Sequence, residues 1–284
     1  MSAERSQKAR VHIGCQGWNY EDWVTGPVGS DAVFYPRGTR APEMLSAYAR
    51  VFETVEVDST FYAVPSIQTV DGWNKRTPRR FSFSFKLPQE ITHQYALRGG
   101  SAETLAEFCD RMQLLEEKLA VILIQMPPQF DATPDNERAL KEFLPRLPRE
   151  MRFSIEFRSR DWISGGVLDM LGSYNVALAL VEGQWIPREM MWQLARQPTA
   201  PFAYIRWMGE RDLTRFDRVA RPQHVNLHGW QELIESLCER VSDVYAYFSN
   251  YYEGHAPASA NNLKRLLGQP IVDPADMEDQ PSLF

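Results

Sequence analysis

Apolar and polar positions alternate strictly in "FSFSFK" (81–86), where Phe81, Phe83 and Phe85 interleave with Ser82, Ser84 and Lys86. A period of two marks a β-strand, because successive side chains point to opposite faces. Short apolar segments recur along the whole chain: "VHIGC" (11–15), "TVEVD" (54–58), "AVILIQ" (120–125), "RFSIEFR" (152–158), "VALALV" (176–181), "FAYIRW" (202–207) and "VYAYFS" (244–249). With 81–86 they predict eight strands.

Helical spacing fills the intervals. Met44, Leu45, Tyr48, Val51 and Phe52 form one apolar stripe, and Leu105, Phe108, Cys109, Met112 and Leu115 form another. Shorter helices fit 66–76, 135–145, 161–172, 187–196, 228–241 and 257–267. Strand and helix alternate without a composition break, which predicts a parallel sheet wrapped by helices. Eight such units in 284 residues favour an α/β fold of the TIM-type (β/α)8 barrel class, a single domain over 11–267. The alternative is an open doubly wound sheet. Residues 1–10 are read as a disordered N-terminal tail and 268–284, rich in Pro, Asp and Gln, as a flexible C-terminal one.

Composition narrows the classes. The formal charge is −6 with 44% hydrophobic residues, so no overall basic footprint for nucleic acid exists. Three widely spaced cysteines, Cys15, Cys109 and Cys238, offer no CxxC pair and no disulfide framework. The polar start "MSAERSQKAR" has no apolar signal core, and no run of some 18 apolar residues occurs. A cytoplasmic protein with no membrane segment is expected. Neither a GxGxxG fingerprint nor a P-loop is present.

Parity then assigns the charges. In a closed barrel the large apolar strand residues pack outward on the helices, and their neighbours point into the interior. Phe81, Phe83 and Phe85 outward send Ser84 and Lys86 inward; Ile155 and Phe157 outward send Glu156 and Arg158 inward. By the same rule Glu56, Asp58, Gln125, Tyr204 and Arg206 point inward. Buried charges are costly unless paired with one another or with a ligand. One reading is a purely structural network in which Glu56 and Glu156 neutralise Arg158 and Arg206; the other is a pocket built from the same residues. Lys86, Arg158 and Arg206 suit an anionic group. Glu156, Lys86 and His93 are the catalytic candidates for proton transfer. Asp58, Gln125, Arg158, Arg206 and His255 are placed on the substrate side. Without HxH or HExxH pairs, a multinuclear zinc centre is not expected. If a metal is used, one Mg²⁺ or Mn²⁺ on carboxylates fits better.

Ordered segments carry a resemblance: "GCQGWNYEDW" (14–23), "FYP" (34–36), "VEVDSTFYAVPS" (55–66), "FSFSFKLPQEITH" (81–93), "QMPPQF" (125–130), "IEFRSRDW" (155–162), "YIRWMG" (204–209) and "YAYFSNYYEGHAPASA" (245–260). The chain resembles the domain-of-unknown-function 72 family, the YecE-like proteins, over roughly 11–267. The resemblance implies a TIM barrel and no particular activity. It also draws Trp18, Tyr20 and Asn250 into the substrate-side candidates. Asp58 stands where many members have Asn, and Ser249 where Asn is usual.

The chain ends "QPSLF" (280–284), similar to the pentapeptide with which bacterial repair and replication proteins bind the DNA sliding clamp. Gln280, Leu283 and Phe284 are the partner-binding candidates. Together these features predict an enzyme on an anionic or phosphate-bearing substrate, a phosphodiester or phosphate hydrolase of nuclease type. The alternatives are a hydrolase, lyase or isomerase on a sugar or carboxylate, and a non-catalytic anion-binding module recruited to the replication machinery.

Overall fold

The computed structural model describes residues 9–31 and 33–277. Eight parallel strands close on themselves in chain order: β1 (Arg10–Gln16), β2 (Thr54–Val57), β3 (Ser82–Lys86), β4 (Leu119–Gln125), β5 (Phe153–Glu156), β6 (Ala177–Glu182), β7 (Phe202–Trp207) and β8 (Asp243–Phe248). Helices α1 (Ala41–Val51), α2 (Ile67–Lys75), α3 (Ala102–Gln113), α4 (Pro134–Phe143), α5 (Gly165–Ser173), α6 (Arg188–Leu194) and α7 (His224–Leu237) connect them. After β8 come a single turn, α8 (Asn250–Glu253), and α9 (Ala256–Leu266). The chain is therefore a single-domain (β/α)8 barrel, and the open-sheet alternative is excluded by the β8–β1 pairing.

Local chemistry sets the helix starts. Ser66, Thr133 and Ser164 each accept a backbone N–H of the first turn through the side-chain oxygen, the usual N-cap role. Pro134 follows Thr133 at the first helical position, where the missing N–H costs nothing.

Two apolar layers follow from the parity. Val55, Val57, Phe83, Phe85, Ile155, Ile205 and Trp207 belong to the core between strands and helices. Val121, Leu123, Ala179, Val181, Tyr204 and Tyr247 fill the barrel interior. Interior hydroxyls pair among themselves: Tyr247 Oη lies 2.7 Å from Thr54 Oγ1 and 2.8 Å from Ser84 Oγ.

Two seams of the barrel pair only briefly. β1 and β2 match at Cys15–Val55 and Gln16–Glu56, and below that point the Tyr48 hydroxyl of α1 bridges them. It accepts from Cys15 N at 2.8 Å and donates to Thr54 O at 3.0 Å. A Cβ on Gly14 would sit 2.1 Å from Thr54 O, so this close approach requires glycine. β5 and β6 match only at Ser154–Ala177 and Ile155–Leu178, which leaves the strands parted above Ile155.

At the N-terminal end of the barrel, buried Asp243 accepts from Arg10 Nε at 3.0 Å and Arg152 Nη2 at 3.2 Å, and His12 Nε2 lies 3.2 Å away. Residues 268–277, expected to begin a flexible tail, lie against the barrel here: Gln269 Nε2 donates to Val11 O at 2.9 Å and Met277 is buried. Residues 1–8 of the expected N-terminal tail and the QPSLF segment, with Gln280, Leu283 and Phe284, fall outside the described residues. No helix among the described residues is long and apolar enough to cross a membrane.

Candidate active site

The C-terminal ends of the strands bring most of the expected charges together, and they divide into a closed network and an open rim. Arg206 of β7 is the centre of the closed part. Its Nη2 lies 2.7 Å from Glu56 Oε1 and its Nε 2.9 Å from Glu56 Oε2, while Nη1 donates to Glu156 Oε2. Tyr204 Oη donates to Glu56 at 2.6 Å, and Gln125 Nε2 donates to Glu156 Oε1 at 2.9 Å. All five side chains are buried. Burial pushes the Glu56 carboxyl up in spite of Arg206. Burial also acts against the Glu156 anion, but Arg206, Arg158 and the Gln125 amide outweigh it and hold Glu156 at about 2.

Two residues expected to act on substrate are held in this network. Glu156 accepts from three donors, Gln125, Arg158 and Arg206. Arg206 directs its Nε and both terminal nitrogens at glutamates, so it cannot offer substrate a free fork. The structural network foreseen as one reading exists, and its charge sum is −1 before Arg158 is added.

The open rim consists of Arg158, Lys86, Asp58 and His93. Arg158 lies just beyond β5 and spends Nε on Glu156 Oε1 at 3.1 Å. Its terminal nitrogens have no hydrogen-bond partner among the described residues. Lys86 closes β3; its Nζ is 3.7 Å from Asp58 Oδ1, beyond hydrogen-bond reach, and 4.5 Å from the centroid of the Phe61 ring. Burial lowers the Lys86 ammonium; Asp58 opposes this and Arg206 adds to it. His93 stands edge-on to Phe61 at 5.0 Å with Nδ1 2.8 Å from Thr92 Oγ1. Burial and the charges of Arg158 and Lys86 keep its imidazole neutral to lower pH than usual. Asp58 Oδ1 is buried without a hydrogen-bond partner.

A cavity of about 150 Å³ opens where β5 and β6 part, lined by Glu156, Arg158, Val181, Trp185, Met208 and Arg211. The Trp185 ring lies 5.9 Å from the Arg158 guanidinium and is 42% exposed, a free stacking surface beside the open fork. Trp185 and Arg211 escaped the sequence reading because they sit in irregular loops, where no periodicity singles a residue out. An indole in the loop "EGQW" (182–185) was the available signal.

The remaining candidates support the walls. Tyr20 donates to Gln16 O at 3.0 Å and packs on Trp23 at 4.7 Å. Trp18 is half-buried with its ring edge on Trp73 at 6.4 Å. Asn250 Oδ1 accepts from Trp23 Nε1 at 3.1 Å and from Ala256 N at 3.0 Å, tying the loop after β1 to the start of α9. His255 is buried edge-on against the same Trp23 at 6.1 Å. Neither Asn250 nor His255 lines the cavity beside Arg158.

A divalent cation does not match these donors. No group of three or more His, Cys, Asp or Glu side chains able to hold a metal occurs among the described residues. Glu56 and Glu156 already face Arg206, which leaves Asp58 as the one rim carboxylate with an open oxygen.

The family model for proteins of unknown function DUF72 matches residues 12–282. The chain belongs to the DUF72 family. Similar relatives include UPF0759 protein YecE of Escherichia coli strain K12, 32% identical over 156 residues, which cover 55% of this chain. The match spans 51% of YecE, about half its length. UPF0759 protein YunF of Bacillus subtilis strain 168 is 25% identical over 280 residues, 90% of this chain and 94% of that protein. Among solved structures, a DUF72 protein of Thermotoga maritima superposes with a TM-score of 0.75 at 25% identity, covering 92% of this chain and all of its own. A DUF72 protein of Enterococcus faecalis does so with a TM-score of 0.72 at 20% identity, over 93% and 97% of the two chains. These likenesses agree with the barrel, and the family description names no reaction.

Proposed function

We propose that this DUF72 protein is an enzyme whose active site is the open rim, acting on a small phosphate-bearing substrate by proton transfer, as a lyase or isomerase does. The observation that carries the reading is the contrast between the two arginines. Arg206 is neutralised by two glutamates, whereas Arg158 is anchored through Nε, lines the cavity and keeps its terminal nitrogens uncommitted among the described residues. Such an edge matches two phosphoryl oxygens. Lys86 and His93 supply groups biased to the neutral form beside it, as general base and acid–base catalysis require.

A second reading, phosphodiester hydrolysis, is favoured by the rim aromatics. Tyr62, Tyr95 and Trp185 are exposed in the loops after β2, β3 and β6, where they offer stacking faces for bases. In that reaction Arg158 would stabilise charge on phosphorus and His93 would take the proton of water.

The test is a paired panel of phosphorylated sugars and acids on one side and labelled DNA and RNA on the other. Each is assayed with wild type, Arg158→Ala and His93→Gln. Turnover of a small phosphate compound that both variants lose supports the first reading. Nucleic-acid cleavage that both variants lose selects the second, and activity unchanged in Arg158→Ala removes the site from either.

A further inference from the structure

Two lysines are largely withdrawn from water in this barrel, and they are built differently. Lys118 donates from Nζ to Asn74 O at 2.7 Å, Thr77 O at 2.9 Å and Thr77 Oγ1 at 3.1 Å. All three protons of its ammonium are placed, which is what a structural lysine needs. Lys86 has no hydrogen bond to any described residue. Its amine faces an aromatic ring on one side and the carboxylate of Asp58 at 3.7 Å on another, with Arg206, Glu56 and Glu156 within electrostatic reach. A site that wanted a fixed positive charge would have supplied acceptors, as the Lys118 site does. The Lys86 site instead leaves the nitrogen without an acceptor at hydrogen-bond distance among the described residues, its side chain 12% exposed.

Asp58 completes the arrangement. Its side chain is 43% exposed, so water reaches it, yet Oδ1 is buried without a partner and is the oxygen nearest the amine. The backbone holds the pair in place, since Thr60 Oγ1, two residues beyond Asp58, donates to Lys86 O at 2.7 Å. Arg158 and Lys86 are both electrostatic neighbours of His93, although Lys86, Asp58 and His93 do not line the cavity beside Arg158.

We propose that Lys86 is a nucleophile whose amine condenses with the aldehyde or ketone carbonyl of a phosphate-bearing substrate, forming an imine with Asp58 as the adjacent acid and base. This rests on the phosphate site proposed at Arg158. The Asp58 carboxylate first takes one proton from the Lys86 ammonium. The neutral amine adds its lone pair to the carbonyl carbon, and the carbonyl π pair moves to oxygen, which takes that proton from Asp58. The nitrogen proton released on addition returns to Asp58. The carbinolamine then expels its hydroxyl as water, with the nitrogen pair forming C=N and Asp58 supplying the proton, which restores its carboxylate. The balance is ammonium plus carbonyl giving protonated imine plus water, with no oxidant or reductant. The protonated imine is an electron sink that eases loss of a proton or a carbon group from the neighbouring carbon. The Phe61 face favours that planar cation.

The test uses the full chain, glycolaldehyde phosphate as probe and sodium cyanoborohydride to reduce any imine to a stable secondary amine. Intact mass followed by peptide mapping is expected to show one adduct, on Lys86. Excess inorganic phosphate is expected to suppress it, and unphosphorylated glycolaldehyde to give far less. Lys86→Arg and Lys86→Met are expected to lose it entirely, with thermal midpoints confirming that each variant folds. Label spread over Lys75, Lys141 and other lysines without preference for Lys86 overturns the proposal. Binding of inorganic phosphate is measured in parallel by calorimetry on wild type and Arg158→Ala. Phosphate binding that depends on Arg158 without a Lys86 adduct overturns the imine and leaves the anion site standing. Absence of both overturns the two together.

Discussion

Arg206 and Glu56 meet across the barrel interior from strands that do not touch, with Nη2 2.7 Å from Oε1 and both side chains almost wholly out of solvent. The same guanidinium reaches Glu156 on β5, so one residue ties β2, β5 and β7 together. Removing one partner of a buried ion network strands the others, at roughly 3–5 kcal/mol. Arg206→Met is expected to lower the unfolding free energy by about that amount in urea denaturation at pH 7. The triple variant Glu56→Gln/Glu156→Gln/Arg206→Met removes all three charges and is expected to recover much of the loss. If the single and triple variants are equally destabilised, packing rather than charge carries the effect.

Glu156 gives the network an acid limit. Its carboxyl is held at about 2 in the fold against an ordinary 4.5, so between these values the unfolded chain binds a proton that the native state does not. Stability therefore rises with pH in this window and is lost as pH falls from 4.5 toward 2. Urea midpoints measured across that range are expected to show the slope, and Glu156→Gln to flatten it while lowering stability at neutral pH.

His255 titrates in a different window. Burial drives its imidazole from 6.5 to about 4, only partly offset by Asp217, and Nε2 has no hydrogen-bond partner. Below 6.5 the unfolded chain takes up a proton that the buried ring refuses, so stability falls as pH drops from 6.5 toward 4. NMR of the His255 ring is expected to show the neutral form at pH 5.5. A ring protonated at that pH would contradict the burial argument.

The rim predicts a separation of binding from turnover. Once a substrate is in hand, Arg158→Ala is expected to lose turnover at low substrate concentration chiefly through a raised KM, and Lys86→Arg to lower kcat by about 100-fold or more. Because burial lowers the Lys86 ammonium, activity that needs the neutral amine should rise with pH and level off below the 10.5 of an ordinary lysine. A pH profile of kcat/KM lost in Lys86→Arg checks this.

Gly209 lines the cavity with φ +65°, and a Cβ there would lie 2.1 Å from Tyr251 O. Gly209→Ala is expected to cost more than about 1 kcal/mol and to shift the loop carrying Arg211. Thermal midpoints of the folded variant check the first effect, and loss of phosphate binding the second.

The strand at 81–86 shows how far local pattern carries. Alternating Phe and Ser, together with the eight segments spaced along the chain, favoured the barrel over an open sheet and placed Lys86, Glu156 and Arg206 on its interior side. Strand bounds differ from expectation by a residue or two, most at β5, which ends at Glu156 and leaves Arg158 in the following loop. Trp185 and Arg211 had no periodic neighbours to mark them. His255, expected on the substrate side, is buried edge-on against Trp23, a neighbour supplied by the distant loop after β1.

Side-chain direction along a strand is a property of the pleated backbone, set by each residue and its immediate neighbours, so the sequence alone determined the alternating strand and helix units and which strand residues share a face. Partnership is set by the stagger with which eight strands close. That Arg206 is consumed by Glu56 and Glu156 while Arg158 and Lys86 stay available was decided only by the tertiary structure. So was the cavity at the β5–β6 seam, because both depend on distances between residues far apart in the chain.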